Sequence, residues 1–158
     1  MGESILSKIR RLNWVLSEST TGNLSYSDLG KILCKIINAN VLITNTEGVV
    51  LGAGYINTED SSTVLDEEGS EKLTPFHTEK FMRVRETVEN LHGDNCYELL
   101  GADYKMTNKY HCIIPSSGGG ERMGTLIVAR HDSYFDDVDI ALCEYGATGV
   151  GLEIKRNQ

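Results

Sequence analysis

The 158-residue sequence predicts an α+β domain: an antiparallel five-stranded sheet flanked by helices, with long helices at the N and C termini. Three observations favour this fold class. Apolar residues recur at helical spacing near both ends of the chain, β-branched apolar runs lie between them, and short turn-forming segments join those runs. Because such connections produce hairpins, neighbouring strands are expected to be antiparallel, with the helices packed against the sheet.

The first two elements are predicted to be helices. The N-terminal segment has an apolar residue every three or four positions, at Ile5, Ile9, Leu12 and Leu16. After the turn-rich stretch "STTGNLS", Ser27 is a candidate N-cap for a second helix whose apolar face extends from Leu29 to Ile37. Both helices therefore need a surface to cover.

After the second helix, the spacing of apolar residues changes from the helical pattern to the pattern of β-strands. The runs 41–44 and 49–52 surround the turn-forming residues Asn45, Glu47 and Gly48, which predicts a hairpin. A second hairpin is predicted from residues 110–115 and 123–129, which flank "SSGGGE". The glycines 118–120 are interpreted as its turn and not as a phosphate cradle, because a strand follows them where a phosphate-binding loop needs a helix.

The region between Ile56 and Asn95 shows no strand pattern. Its first half is acidic and polar, and predicts a loop with a short helix at most. Thr74 and Pro75 form a good N-cap and first-turn pair. The apolar residues that follow predict a helix of about four turns ending near Leu91. Residues 95–100 are predicted to be the remaining strand.

The last element is predicted to be a long helix that begins near Asp136 and Asp137, whose carboxylates suit a helix N-terminus. Its glycines, Gly146, Gly149 and Gly151, each cost up to about 1 kcal/mol relative to alanine, so we expect close packing against another backbone. The polar tail "EIKRNQ" has no helix-stop signal, which indicates that the sequence is a fragment of a larger protein.

Composition restricts the function classes. A net charge of −8 and a pI near 5.0 argue against a nucleic-acid-binding face on this chain. No apolar run reaches the roughly 18 residues of a membrane span and no signal-peptide core is present, so we expect a cytoplasmic protein without membrane contact. The cysteines are widely separated, which predicts reduced and buried thiols at Cys34, Cys96, Cys112 and Cys143.

Three segments carry a resemblance to a known family. "SKIRRLNWVL", "GGGERMGTLIVAR" and "FDDVDIALCEYGATGVGLEI" resemble the sensor domain of the bacterial transcriptional regulator CodY, and the order of elements is that of a GAF or PAS domain. The resemblance implies that residues 1–158 form a GAF ligand-sensing domain, with a helix and turn at 1–24 and the start of a long linker helix at 136–158. A C-terminal winged helix-turn-helix would be absent from this chain.

The resemblance also implies a function. The family is dimeric, binds isoleucine, valine or leucine in the GAF pocket, has GTP as a second effector in many members, and represses genes through operator DNA. A non-enzymatic homodimeric sensor without a cofactor or catalytic residues is therefore expected. The competing expectations are a GAF-type free methionine sulfoxide reductase, which would need a low-pKa thiol such as Cys96 or Cys112, and a ligand-free dimerisation module.

Pocket residues follow from the resemblance position by position. The family has an arginine that pairs with the ligand carboxylate, and Thr63 stands at that position here. The resemblance puts Val64, Glu67, Leu73 and His77 at the neighbouring pocket positions, and Glu98 and Leu100 on the opposite wall. Ser61 and Ser62 are added to the predicted site for their hydroxyl groups.

The hydroxyl groups of "DSSTV" could either capture a carboxylate at the start of a short helix or only cap that helix. On the opposite wall, alternation along a strand would place Cys96, Glu98 and Leu100 on one face. There Glu98 either pairs with a ligand ammonium group or is solvated on the outer face of the sheet.

Overall fold

The computed structural model of the chain describes residues 2–17, 24–56, 63–65, 69–101 and 108–158, with only the backbone described at 63–65, 94 and 96–98. The helices are α1 (Ile5–Ser17), α2 (Tyr26–Ile37), α3 (Pro75–Met82), α4 (Tyr97–Leu100) and α5 (Asp137–Arg156). The strands are β1 (Asn40–Asn45), β2 (Val50–Gly54), β3 (Thr63–Leu65), β4 (Glu71–Leu73), β5 (Val88–Leu91), β6 (Lys109–Gly118) and β7 (Glu121–His131).

Five strands form one antiparallel sheet in the order β2-β1-β7-β6-β5, while β3 and β4 form a separate two-stranded ribbon. Both predicted hairpins are confirmed. Gly119 and Gly120 connect β6 to β7 with φ values of 61° and 80°, the left-handed conformation that a tight hairpin turn needs. The glycine run is therefore a turn, as the sequence predicted.

The helices α1, α2 and α5 cover one face of the sheet, which we call the helix face. Its core contains alternate residues of the central strands, such as Ile43, Leu126 and Ile114, together with the apolar stripes of the three helices. The predicted packing against another backbone is confirmed at Gly151, where a Cβ would lie 2.1 Å from the carbonyl oxygen of Ser117. Strand β6 and helix α5 thus meet backbone to backbone. The prediction is wrong for Gly146 and Gly149, which face the side chains of Leu33 and Leu16.

The N-terminal boundaries of the helices match prediction with one correction. Asp136 caps α5 through a capping box with Asp139, as its acidic start predicted. Helix α2 is capped by Ser25, whose side chain accepts a hydrogen bond from the backbone N–H of Asp28, so the assignment of Ser27 as the cap was wrong. The helix begins one residue after Ser25, and Ser27 already lies inside its first turn.

The opposite face, which we call the outer face, differs most from prediction. Three strands lie between Ile56 and Asn95, where none was expected. The predicted four-turn helix is wrong, since α3 ends at Met82 and Val88–Leu91 is the edge strand β5. The predicted strand at 95–100 is also wrong. Those residues belong to a 3₁₀ turn (Gly93–Cys96) and α4, because β5 already occupies the edge of the sheet beside β6.

Candidate functional site

The outer face carries a second apolar cluster, smaller than the core on the helix face. The sheet contributes Leu42, Leu91, Ile113 and Ile127, and the elements above it contribute the cover: Leu73, Phe81, Val84 and Leu100. Two residues predicted for the ligand pocket, Leu73 and Leu100, are thereby brought together from β4 and α4, at 2% and 5% exposure. The structure places both of them in one apolar environment.

His77 lies in the same layer and joins two of its elements. Its Nε2 lies 3.0 Å from the carbonyl oxygen of Leu100, and its Nδ1 lies 3.1 Å from the hydroxyl of Thr74. Because a carbonyl oxygen only accepts, Nε2 carries the proton and Nδ1 accepts from the hydroxyl. The ring also stacks on Phe81, with 5.5 Å between centroids. In this structure His77 therefore holds α3 against α4.

The segment predicted to bind the ligand carboxylate lies beside this cluster. In the β3–β4 ribbon, Thr63 is paired with Leu73 and Val64 with Lys72. The backbone at 63–65 is a strand, so the idea of a helix starting at this position was wrong. Ser61, Ser62 and Glu67 lie outside the described residues.

On the opposite wall, Glu98 is helical. The alternation predicted for Cys96, Glu98 and Leu100 is therefore wrong, because successive side chains alternate between two faces only in a strand. The side chains of Thr63, Val64 and Glu98 are outside the described part of the structure.

Polar side chains lie at one end of the apolar cluster. Lys109 and His111 lie two residues apart on β6, on the side of Ile113, and are 6% and 4% exposed. With Asn40 and Tyr55 they line a cavity of about 30 Å³. The cluster residues Leu42 and Ile127 line the same cavity, so the polar end and the apolar cluster share a wall.

A larger opening continues from this cavity toward the ends of β1 and β7. It has a volume of about 240 Å³, and its lining includes Lys109, Asn40, Ala129, His131 and Ser133. Lys109, Asn40 and Ala129 line both spaces. The sequence reasoning missed Lys109, although a lysine two residues before a histidine at the start of an apolar strand was a usable signal.

Arg122 fixes the cover of the outer face to the sheet. Its guanidinium donates to the carbonyl oxygens of Val84 at 2.6 Å and Phe81 at 3.1 Å, just beyond and within the last turn of α3. It also donates to the carbonyl of Gly124 and to the hydroxyl of Thr125 on β7. Burial lowers the pKa of Arg122, which remains a cation in the ordinary pH range.

The described thiols do not suit redox catalysis. Cys112 lies in the core of the helix face, on the opposite side of the sheet from the candidate site. Burial raises the pKa of Cys112 to about 11 and also raises the pKa values of Cys34 and Cys143. A nucleophilic thiol needs a lowered pKa, so none of these three has the character that a reductase requires. Cys96, the other thiol considered for such a role, lies in a 3₁₀ turn and not in a strand.

The described histidine, cysteine and acidic residues form no group of three that could hold a metal ion. None of the described helices combines the length and apolar character needed to cross a bilayer.

Comparison with known proteins gives a consistent result. A family model described as the CodY GAF-like domain matches residues 4–158. The chain is 35% identical over 157 residues to the global transcriptional regulator CodY of Clostridium botulinum, and 36% identical to that of Clostridium tetani. The aligned region covers 98% of this chain and 61% of the length of each of these relatives.

Among solved structures, the cofactor binding GAF domain of the nutrient sensor CodY from Clostridium difficile matches with a TM-score of 0.79 and 34% identity, over 98% of this chain and 99% of that one. A free methionine-R-sulfoxide reductase from Neisseria meningitidis matches at a TM-score of 0.66 and 12% identity, over 99% of this chain and 95% of that one, which shows a shared fold alone. On the evidence of the family model and of relatives above 30% identity along its whole length, the chain belongs to the CodY GAF-like domain family.

Proposed function

We propose that the chain is the effector-sensing domain of a CodY-like transcriptional repressor. In this proposal it binds isoleucine, valine or leucine and transmits nutrient status to a winged helix-turn-helix that binds operator DNA and lies outside this chain. The relatives are named global transcriptional regulators, and the C. difficile domain is named as part of a nutrient sensor. Such a repressor works in the cytoplasm. GTP is proposed as a second input on the strength of the family resemblance alone.

The observation that carries the proposal is the amphiphilic layer on the outer face. Leu73, Leu100 and Ile127 offer an aliphatic surface, and buried polar side chains adjoin it. An amino acid with a branched side chain has the same division between an apolar and a charged half. Each buried methylene of suitable shape contributes about 0.8 kcal/mol, so the aliphatic surface favours isoleucine over a lysine side chain.

The remaining predicted residues are given roles in the same proposal. Ser61, Ser62 and Thr63 would offer hydroxyl groups to the ligand, and Val64 would extend the aliphatic wall. Glu98 would face the ligand ammonium group from α4. His77 would act by holding α3 on α4, which fits its hydrogen bond to the carbonyl of Leu100.

The ligand test is titration calorimetry of the 158-residue chain with isoleucine, phenylalanine and lysine. We expect heat with isoleucine at a micromolar to millimolar dissociation constant, corresponding to roughly 4 to 8 kcal/mol, and weaker binding of the other two. Thr63→Val should weaken isoleucine binding, while Thr148→Val, which changes an exposed threonine on α5, should not. Absence of heat with isoleucine at millimolar concentration would contradict the ligand assignment.

A ligand-free dimerisation module is the second candidate, and cavity size favours it. The space of about 30 Å³ beside the apolar cluster accommodates little more than one or two water molecules. An amino acid would therefore have to use the adjoining opening or displace part of the cover. Calorimetry separates the candidates, because a module without a ligand gives no heat with any amino acid.

We also propose a homodimer formed through the terminal helices. Trp14 on α1 is 72% exposed, and Ile5, Leu6 and Leu152 are exposed on α1 and α5. Exposed large apolar side chains on neighbouring helices are typical of an interaction surface. Light scattering at high micromolar concentration should give the mass of a dimer, and a monomer mass would contradict this part of the proposal.

A further inference from the structure

We propose that Lys109 is the residue that binds the carboxylate of the effector in this protein. The inference rests on the proposed function, because it concerns the ligand of the same site. It locates the charged half of the ligand on the outer face, at the start of β6. Residues 61–64 would then make only uncharged contacts with the ligand.

The groups available to a ligand carboxylate differ in charge. Residues 61–64 are serine, serine, threonine and valine, none of which carries a positive charge. A hydrogen bond to a charged group contributes about 1.5–3 kcal/mol, against roughly 1 kcal/mol for a neutral pair. A carboxylate that leaves water therefore gains most from a cation. Arg130 also lines the opening but donates to Asp139 and to the carbonyl oxygen of Ile37, whereas Lys109 lines both the opening and the cavity beside the apolar cluster.

The position of Lys109 suits the charged half of an amino acid. Lys109 stands where the opening of about 240 Å³ meets the cavity that Leu42 and Ile127 also line. A ligand held there by its carboxylate would direct its side chain toward the apolar cluster. Asn40 and His111 line the same cavity and can add hydrogen bonds to the second carboxylate oxygen. The arrangement matches an α-amino acid with an aliphatic side chain.

Lys109 is 6% exposed, whereas most lysines lie on the protein surface with the ammonium group in water. Burying an ammonium group is costly unless acceptors surround it. The proposal does not require the amine to be unpaired in the structure, since an ammonium has three N–H donors and a carboxylate can take one or two of them.

The test compares ligands that differ by one functional group. Isoleucine has both the carboxylate and the amine, 3-methylpentanoate keeps the carboxylate without the amine, and 2-methylbutylamine keeps the amine without the carboxylate. Each is titrated by calorimetry into the parent chain, Lys109→Met and Lys31→Met. Lys31 is exposed on α2 and lines neither of the two spaces that Lys109 lines, so Lys31→Met changes the net charge equally without removing a residue from either lining.

We expect Lys109→Met to weaken isoleucine and 3-methylpentanoate by roughly 10- to 100-fold, the effect of losing one bond to a charged group. Binding of 2-methylbutylamine should be unchanged, and Lys31→Met should match the parent with all three ligands. Equal losses for the acid and the amine would mean that Lys109 only supports the fold of the site. That result, or no loss at all, would overturn the proposal while the effector-sensing function stood.

Titration with 3-methylpentanoate distinguishes a failure of this proposal from a failure of the proposed function. If 3-methylpentanoate binds in a Lys109-dependent way and isoleucine does not bind, the carboxylate site stands and the branched-chain amino acid assignment falls. If neither acid binds the parent chain at millimolar concentration, both fall. Lys109→Met keeps the length of the side chain, and Lys109→Gln is a second variant that keeps a polar end. Thermal unfolding checks that each variant is folded before titration.

Discussion

The two faces of the central sheet are covered in different ways. On the helix face, three helices cover the strands, and close contacts run from backbone to backbone, as between Gly151 and Ser117. On the outer face, short elements cover a smaller apolar cluster, and they are tied down by side-chain hydrogen bonds from Arg122 and His77. The first face is fixed by shape and the second by a few polar contacts.

This difference separates stability from recognition within one domain. Backbone contacts between long elements leave no room for a ligand. They also resist rearrangement, because a closely packed protein interior is destabilised by small changes in volume. A cover held by individual hydrogen bonds can change locally at lower cost, which is usual for elements that surround a ligand. The candidate site lies on the outer face, beside that cover.

The largest expected effect comes from filling the close contact on the helix face. In Gly151→Ala the new Cβ would lie 2.1 Å from the oxygen and 2.3 Å from the carbonyl carbon of Ser117, both backbone atoms that cannot move independently. We expect the free energy of unfolding to fall by roughly 3 kcal/mol or more, at the upper end of overpacking effects. Urea denaturation followed by circular dichroism measures this change.

Gly149→Ala is the matched control, two residues away on the same helix and on a different side of it. Its Cβ would meet the tip of the Leu16 side chain at 2.4 Å, and that side chain can rotate away. The gain in helix propensity, about 1 kcal/mol, offsets the repacking. We expect a net change near zero. Similar losses in both variants would show that the backbone contact is not what distinguishes this face.

A smaller effect is expected from releasing the cover of the outer face. Arg122→Met removes the hydrogen bonds to Phe81, Val84, Gly124 and Thr125 and leaves two carbonyl groups near the end of α3 without this donor. We expect a loss of roughly 2–3 kcal/mol, because each buried bond to a charged group contributes about 1.5–3 kcal/mol and part of the loss is recovered by water. Hydrogen exchange should accelerate in α3 and β5 more than in α5.

Arg83→Met provides the control for charge and side-chain length. Arg83 pairs with Glu79 on the surface, where both side chains are more than half exposed. Such a pair contributes between about 0 and 1 kcal/mol, so this variant should be close to the parent in stability and in exchange. Uniform acceleration across all helices in Arg122→Met would contradict a local role for Arg122.

The same comparison explains what the sequence could predict. Ile43, Leu126 and the glycines of α5 lie in long elements whose period and composition are unambiguous, and those elements were predicted correctly. On the outer face, Phe81, Val84 and Leu91 fit helical spacing but lie in three different local structures. The helix ends where Arg122 binds its carbonyl groups from about 40 residues away in sequence, a contact that local pattern does not encode.

Part of the candidate site could be placed from the sequence. Leu73 and Leu100 were placed near each other through family resemblance, and the structure brings both into the apolar cluster. Lys109 was not identified, because its burial depends on the alignment of β6 between β5 and β7. Alternation along β6 assigns Lys109 and His111 to one face but does not say whether other elements cover that face.

The smallest expected effect is a pH dependence that originates on the helix face. Burial raises the pKa of Cys112 to about 11, against 9.0 for an ordinary thiol, so the folded chain keeps this proton where the unfolded chain loses it. The free energy of unfolding should therefore be constant with respect to this group below pH 9 and fall as the pH rises from 9 toward 11. We expect Cys112 to contribute roughly 1–2 kcal/mol of that fall.

Urea denaturation at intervals between pH 8 and 11 tests this expectation in the parent chain and in Cys112→Ala. The variant loses some stability at every pH because a small cavity remains, so the informative quantity is the slope against pH and not the absolute value. Every other titratable group is present in both chains, so the difference between the two slopes reports Cys112 together with its effect on the neighbouring Cys143, whose pKa it helps to raise. A parallel decline in the two chains would mean that water reaches Cys112 readily, and the helix face would then be less tightly closed than its contacts indicate.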